Sequence, residues 1–214
     1  MKERPIIFNA ESVRAILARR KTMTRRVVKP QPTLPNFVVT GALWSWSNLT
    51  AAEIEKSYAG KFHVIPCPYA PGHRLWLRET WAAVWPAYDW VPLEECRIEY
   101  RADLAPGCTD YPGNWPAEEA QGDPDAPRWR ASIHMPRWAS RITLEVTGVQ
   151  AGRVQDICEA DAYAEGIDRA PTMPHPVVWY REHWDSLNAK RGFPWKMNPW
   201  VWVISFYPIK EVKQ

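Results

Sequence analysis

The chain reads as an α+β protein, mostly sheet and loop with a few short helices, and three observations carry that reading. Apolar and polar residues alternate in several stretches, most clearly where Ile142, Leu144 and Val146 interleave with Thr143, Glu145 and Thr147, the period of a strand with one buried face. Helical spacing is confined to short segments, Val13, Ile16 and Leu17 in one and Val177, Tyr180, Trp184 and Leu187 in another. Finally, 21 prolines among 214 residues impose turns and extended connections rather than long helices.

Taken in order, Ile6 to Phe8 reads as a short strand, and Asn9 as the N-cap of a helix from Ala10 to about Arg19 that buries Val13, Ile16 and Leu17. Thr22 to Lys29 is β-branched enough for a strand, which Pro30 and Pro32 end. Residues 31–68 are irregular and read as an insertion carrying Trp44 and Trp46. After the turn Tyr69-Ala70-Pro71-Gly72, the stretch from His73 to Trp81 alternates, with Leu75, Leu77, Glu79 and Trp81 on one face. A carboxylate on an apolar face is costly without a cation, and the Lys21/Arg26 group is the expected partner of Glu79. Arg97 to Arg101 gives another strand, and 103–130, rich in Pro, Gly and Asp, a second insertion that buries little apolar surface. Ser140 to Gln150 is the clearest half-buried strand. Asp156 and Glu159 form a capping-box-like start to a helix that continues over Ala160–Glu165 and stops at Gly166. A second amphipathic helix follows Pro176. Trp200 to Tyr207, apolar on both faces, reads as a central strand.

The totals exclude several classes. Net charge is +3 and the isoelectric point about 8.7, too mild for a long nucleic-acid footprint. The start MKERPIIF is neither a secretory signal nor a membrane span, and no stretch approaches the length of a spanning helix, so a cytoplasmic protein without membrane partners is expected. Cys67, Cys96, Cys108 and Cys158 form no CxxC pair, and the five histidines are dispersed, so neither a metal ligand set nor a cofactor is implied. Gly-rich phosphate loops, nucleophile elbows and HExxH are absent from the sequence. Internal repeats and a convincing linker are also missing, so 1–214 is expected as one domain with insertions at 31–68 and 103–130.

The chain is organised around LARRKTMTRRVVK, residues 17–29, in which Arg19, Arg20, Lys21, Arg25, Arg26 and Lys29 are cationic and none is acidic. A block of one sign costs repulsion unless an anion relieves it, which points to a phosphate-bearing ligand or polyanion, or else to a merely solubilising surface. In an extended chain Thr24 and Arg26 share one face, and Lys21 lies just before them. RKTMTRR resembles the Gly-x-Lys-x-x-Glu/Thr-x-Arg signature of the ASCH family in the PUA-like superfamily: Lys21, Thr24 and Arg26 match, and Arg19 stands at the glycine. PGHRLWLRETW is similar to the family's Pro-Gly-Asp-x-Leu-x-Val-x-Glu block, with His73 in the aspartate position, and DAYAEGI to its short helix, which puts Glu165 at a functional carboxylate.

The resemblance covers roughly the first 30 residues, 69–82 and 140–207. It implies a small PUA-like β-barrel flanked by short helices with long loop insertions, closed by the strand at 200–207. It also implies RNA or a modified nucleoside as partner, in the style of bacterial or bacteriophage accessory proteins. Some members hydrolyse the N4-acetyl group of acetylated cytidine with a lysine, a threonine and a glutamate at the positions of Lys21, Thr24 and Glu165. Amide hydrolysis suits such a set, since a hydroxyl beside a neutral lysine is an established nucleophile and base. Neighbouring arginines lower the proton affinity of Lys21 while a carboxylate raises it, and the sequence leaves that balance open. Arg19, Arg20, Arg25, Arg26 and Arg78 are the expected phosphate-binding residues, and Glu79 is the alternative carboxylate. A non-catalytic module that binds RNA or a modified base is the alternative function.

Overall fold

In the computed structural model the described residues are 2–31, 37–39, 63–85, 91–104, 111–114, 126–168 and 175–211. In chain order they form β1 (Glu3–Ile7), α1 (Ala10–Leu17), β2 (Met23–Val27), β3 (Phe37–Val39), β4 (His63–Ile65), β5 (Arg74–Arg78), β6 (Trp81–Val84), β7 (Arg97–Tyr100), β8 (Ile142–Arg153), α2 (Glu159–Ala164), α3 (Pro176–Asn188) and β9 (Trp200–Glu211), with short 3-10 turns between them. Most of the two expected insertions, Trp44 and Trp46 included, lies outside the described residues.

The chain divides into two compact units, Met1–Ala18 with Arg74–Leu144 and Pro208–Gln214, and Arg19–His73 with Glu145–Tyr207. In the first, β1 and β5 pair in parallel, with Ile6 opposite Leu77. The Asn9 side chain accepts from the Ser12 backbone N–H at 2.9 Å and so caps α1, as the sequence predicted. β6 and β7 form an antiparallel pair whose apolar face joins Trp81, Ile98, Tyr100, Met135 and Ala139 in one core. The Tyr100 hydroxyl, carried into that core, donates to the Ala139 carbonyl at 2.9 Å, which meets the rule that a buried phenol finds a partner.

In the second unit β2 runs antiparallel to β9, with Thr24 opposite Ile204 and Arg26 opposite Trp202. Ala162 of α2, Tyr180 and Trp184 of α3 and Val201 of β9 share a core with Val154, Ile157 and Ile167. The predicted helical spacing of Tyr180 and Trp184 is thus a core stripe, while Leu187 is 44% exposed. Asp156 does not cap α2. Its carboxylate accepts from the Arg153 backbone N–H at 3.0 Å, one turn earlier, and Cys158 takes the N-cap position without a side-chain bond.

The largest sheet has five strands in the order β1-β5-β8-β9-β2. The expected closed barrel is not formed among the described residues. Closure requires the two outer strands to pair with each other, yet β1 and β2 end the order, and β9, expected as the closing strand, lies inside it between β8 and β2. β3 and β4 make a separate parallel pair.

Candidate functional site

Lys21 lies within the second unit, just before β2, and is stitched to the end of α2 through the backbone. Lys21 and Glu165 form an antiparallel bridge, and the Thr22 N–H donates to the Ala164 carbonyl at 2.8 Å. The chain reaches this bridge through a left-handed turn, because Arg19, just past the helix cap Ala18, has φ of 58°. That is the conformation for which glycine is ordinarily chosen just past a helix end.

The bridge aligns the two side chains. Lys21 Nζ donates to Glu165 Oε2 at 2.7 Å and to the Glu165 carbonyl at 2.8 Å. Both residues are buried, Lys21 at 3% and Glu165 at 8% exposure. From β2, Arg25 Nη1 donates to Glu165 Oε1 at 3.3 Å and Nη2 to Asp161 Oδ2 at 2.5 Å. Asp161 and Glu165 are four residues apart, so the end of α2 presents both carboxylates to one side. From α3 the Tyr180 hydroxyl donates to Glu165 Oε1 at 3.4 Å, and the Arg25 guanidinium lies 5.8 Å from the Tyr180 ring centre.

Burial decides the electrostatics. It holds Lys21 below the ordinary lysine value, against the opposing pull of Glu165, and Arg26 and Arg25 push the same way as burial. Burial, and then Glu165, raises Tyr180 well above the ordinary phenol value, so it remains a donor. Arg26 is also lowered by burial, with Tyr69, Glu165 and Tyr180 acting to restore it and Arg191 adding to the fall.

Thr24 is 5% exposed and sits in the β2–β9 ladder. Among the described residues its hydroxyl makes no hydrogen bond, and Lys21 turns to Glu165 rather than to it. The structure therefore brings Lys21, Arg25 and Glu165 together in direct contact, and leaves Thr24 beside them in sequence without a bond to Lys21. Arg25, read from sequence as a phosphate binder, is 7% exposed and engaged by two carboxylates. Arg20 is exposed, and its guanidinium donates to the Gly166 carbonyl at 2.7 Å.

The chain matches no protein-family model and no curated protein. Among solved structures it has a distant likeness to an ASCH domain from Lactobacillus crispatus, at 12% identity and a TM-score of 0.40, over 98% of this chain and 81% of that one.

Glu79 and Arg78 belong to the first unit and have their own partners there. Glu79, 1% exposed, accepts from Arg141 Nε at 3.0 Å and Nη2 at 3.1 Å, so Arg141 is the cation that offsets its burial. Burial still raises the Glu79 carboxyl above its ordinary value. Arg141 also grips Asp103 through both its terminal nitrogens and lies 3.8 Å from the Tyr100 ring centre. The Arg78 guanidinium donates to the carbonyls of Met135 and Ile133 and covers Trp76.

Sequence reasoning missed Asp161, Tyr180 and the inward course of Arg25. Two signals were available. Lys21 and Arg25 have the same strand parity, and Asp161 with Glu165 makes a like-charge pair at helical spacing that repels unless a cation enters it. Among the described residues no cluster of His, Cys, Asp and Glu is arranged to hold a metal ion, and no helix is long and apolar enough to cross a membrane.

Proposed function

We propose that the Lys21 site is an amidohydrolase centre for an N4-acylated cytosine, with N4-acetylcytidine as nucleoside or within RNA as the substrate. The observation that carries the reading is Lys21 itself, an amine enclosed at 3% exposure whose burial favours the neutral form despite a carboxylate at 2.7 Å. The choice of substrate rests on the resemblance of RKTMTRR and DAYAEGI to the ASCH motifs.

In this reading neutral Lys21 takes the proton of the Thr24 hydroxyl as its oxygen attacks the amide carbonyl. Arg26 offsets the charge of the resulting oxyanion. Collapse breaks the carbon–nitrogen bond, and the leaving N4 amine receives the proton from Lys21, relayed or oriented by Glu165. The acyl group is then held as an ester on Thr24. A water molecule attacks that ester with Lys21 again as base, and acetate leaves as Thr24 regains its proton. In the resting arrangement Lys21 must turn from Glu165 toward Thr24, as catalytic bonds that tighten only with substrate require.

The test is release of cytidine from N4-acetylcytidine by the wild type, Lys21→Ala and Thr24→Ala. Turnover by the wild type that both substitutions reduce by about 100-fold or more supports the reading. Retained turnover in Thr24→Ala removes Thr24 as nucleophile. A second reading, a non-catalytic binder of RNA or a modified base, is favoured by the absence of any hydrogen bond to the Thr24 hydroxyl among the described residues. It predicts binding of acetylated RNA with no product from a folded protein.

A further inference from the structure

The Glu165 carboxylate is contacted unequally at its two oxygens. Oε2 accepts from Lys21 at 2.7 Å. Oε1 meets donors from two other elements, Arg25 of β2 at 3.3 Å and Tyr180 of α3 at 3.4 Å. A carboxylate held at one oxygen from two directions cannot rotate about its last bond without losing both. Arg25 is itself held by Asp161 at 2.5 Å, and Tyr180 is locked by packing against Trp184 and Trp195, at ring-centre distances of 6.4 Å and 6.2 Å. A simple ion pair between Lys21 and Glu165 needs none of these residues.

The charges around the pair are of both signs. Arg25 and Arg26 of β2 act against the proton on Lys21, and Glu165, just past α2, acts to keep it. Asp161 of α2 adds a negative charge held by Arg25, Tyr180 of α3 adds a hydroxyl donor, and Tyr69 and Arg191 act on Arg26. At the low dielectric of a buried site each of these groups bears on whether Lys21 holds its proton.

From this we infer that Arg25, Asp161 and Tyr180 are positioning residues. They fix the Glu165 carboxylate with Oε2 turned to Lys21, and through it and their own charges they set how readily Lys21 gives up its proton. The inference deepens the amidohydrolase reading and rests on it for the use made of that proton, but the geometry and its test stand without turnover.

The test is a nuclear magnetic resonance titration of the Lys21 side chain in full-length protein labelled with 13C and 15N in lysine, with the signal assigned by its loss in Lys21→Arg. Three variants are compared with the wild type. Tyr180→Phe removes a donor from Glu165 and strengthens the pull of its carboxylate on Lys21, so the Lys21 midpoint rises. Arg25→Gln removes a positive charge, and the midpoint rises further. Asp161→Asn removes a negative charge, and the midpoint falls. Each shift is expected to be about 0.5–1 pH unit. Opposite signs for Asp161→Asn and Arg25→Gln are a result that loss of packing does not produce. Tyr180→Phe and Asp161→Asn are close to isosteric, which keeps the test open should Arg25→Gln unfold. Unchanged midpoints, or shifts of one sign in every folded variant, overturn the inference. If the shifts appear and N4-acetylcytidine is not hydrolysed, the positioning role stands and the amidohydrolase reading fails; the reverse pattern separates them the other way.

Discussion

A single dihedral angle sets the approach to the site. Arg19 at φ 58° pays for a conformation that costs an L residue about 1–2 kcal/mol, and glycine at the first position past a helix avoids that cost. Arg19→Gly is therefore expected to raise stability by about 1 kcal/mol, read as a rise of roughly 2–4 °C in Tm by thermal unfolding; a fall would show that the exposed Arg19 side chain contributes more than the turn costs. Lys21 and Glu165 were singled out in the sequence by a resemblance, and the structure brings them into one buried ion pair. Tyr180 was legible only as an apolar core residue, since helical spacing records which face is buried and nothing of where a hydroxyl at the end of the ring arrives.

At the scale of elements, like charges on one helix face and cations of one strand parity find each other across the α2–β2 bridge. The end of α2 offers Asp161 and Glu165, and Lys21 and Arg25 answer them. In the first unit Arg141 does comparable work between Glu79 and Asp103. Removing one partner of a buried pair leaves an uncompensated charge, whereas removing both is often nearly neutral. Arg141→Met is expected to destabilise by about 3–5 kcal/mol, and Glu79→Leu combined with Arg141→Met to recover most of that loss, both by urea unfolding. Equal losses in the single and double variants would mean that the pair itself holds the strands. The sequence showed that Glu79 needs a cation but placed it at Lys21 or Arg26. Arg141 lies 62 positions away in the chain, and no local period connects the two. Local rules did better: Asn9 caps α1 as expected, and Asp156 is a cap as well, but of the turn before α2.

For the whole molecule, strand existence was legible and strand order was not. Alternation at 142–150 and the apolar run at 200–207 announced β8 and β9, yet whether a sheet closes depends on which strands end up as neighbours, a matter of contacts distant in sequence. The order β1-β5-β8-β9-β2 leaves β1 and β2 as outer strands, where the resemblance had implied a barrel. Each unit nonetheless has its own core, and from the one containing Tyr180, Trp184 and Ala162 the Tyr180 hydroxyl reaches the buried Glu165. In the proposed amidohydrolase reading Lys21 acts as base in its neutral form, and since burial lowers its proton affinity from an ordinary value of 10.5, that reading predicts an active fraction that grows as pH rises through a midpoint below that value.

The most direct measurement is the initial rate of cytidine release from N4-acetylcytidine by the wild type and Lys21→Arg between about pH 6 and 10. The account predicts a wild-type rate that climbs to a plateau with a midpoint below the ordinary lysine value, and no such climb in Lys21→Arg, whose guanidinium stays charged. Absence of release by the folded wild type, or an undiminished profile in Lys21→Arg, would contradict it.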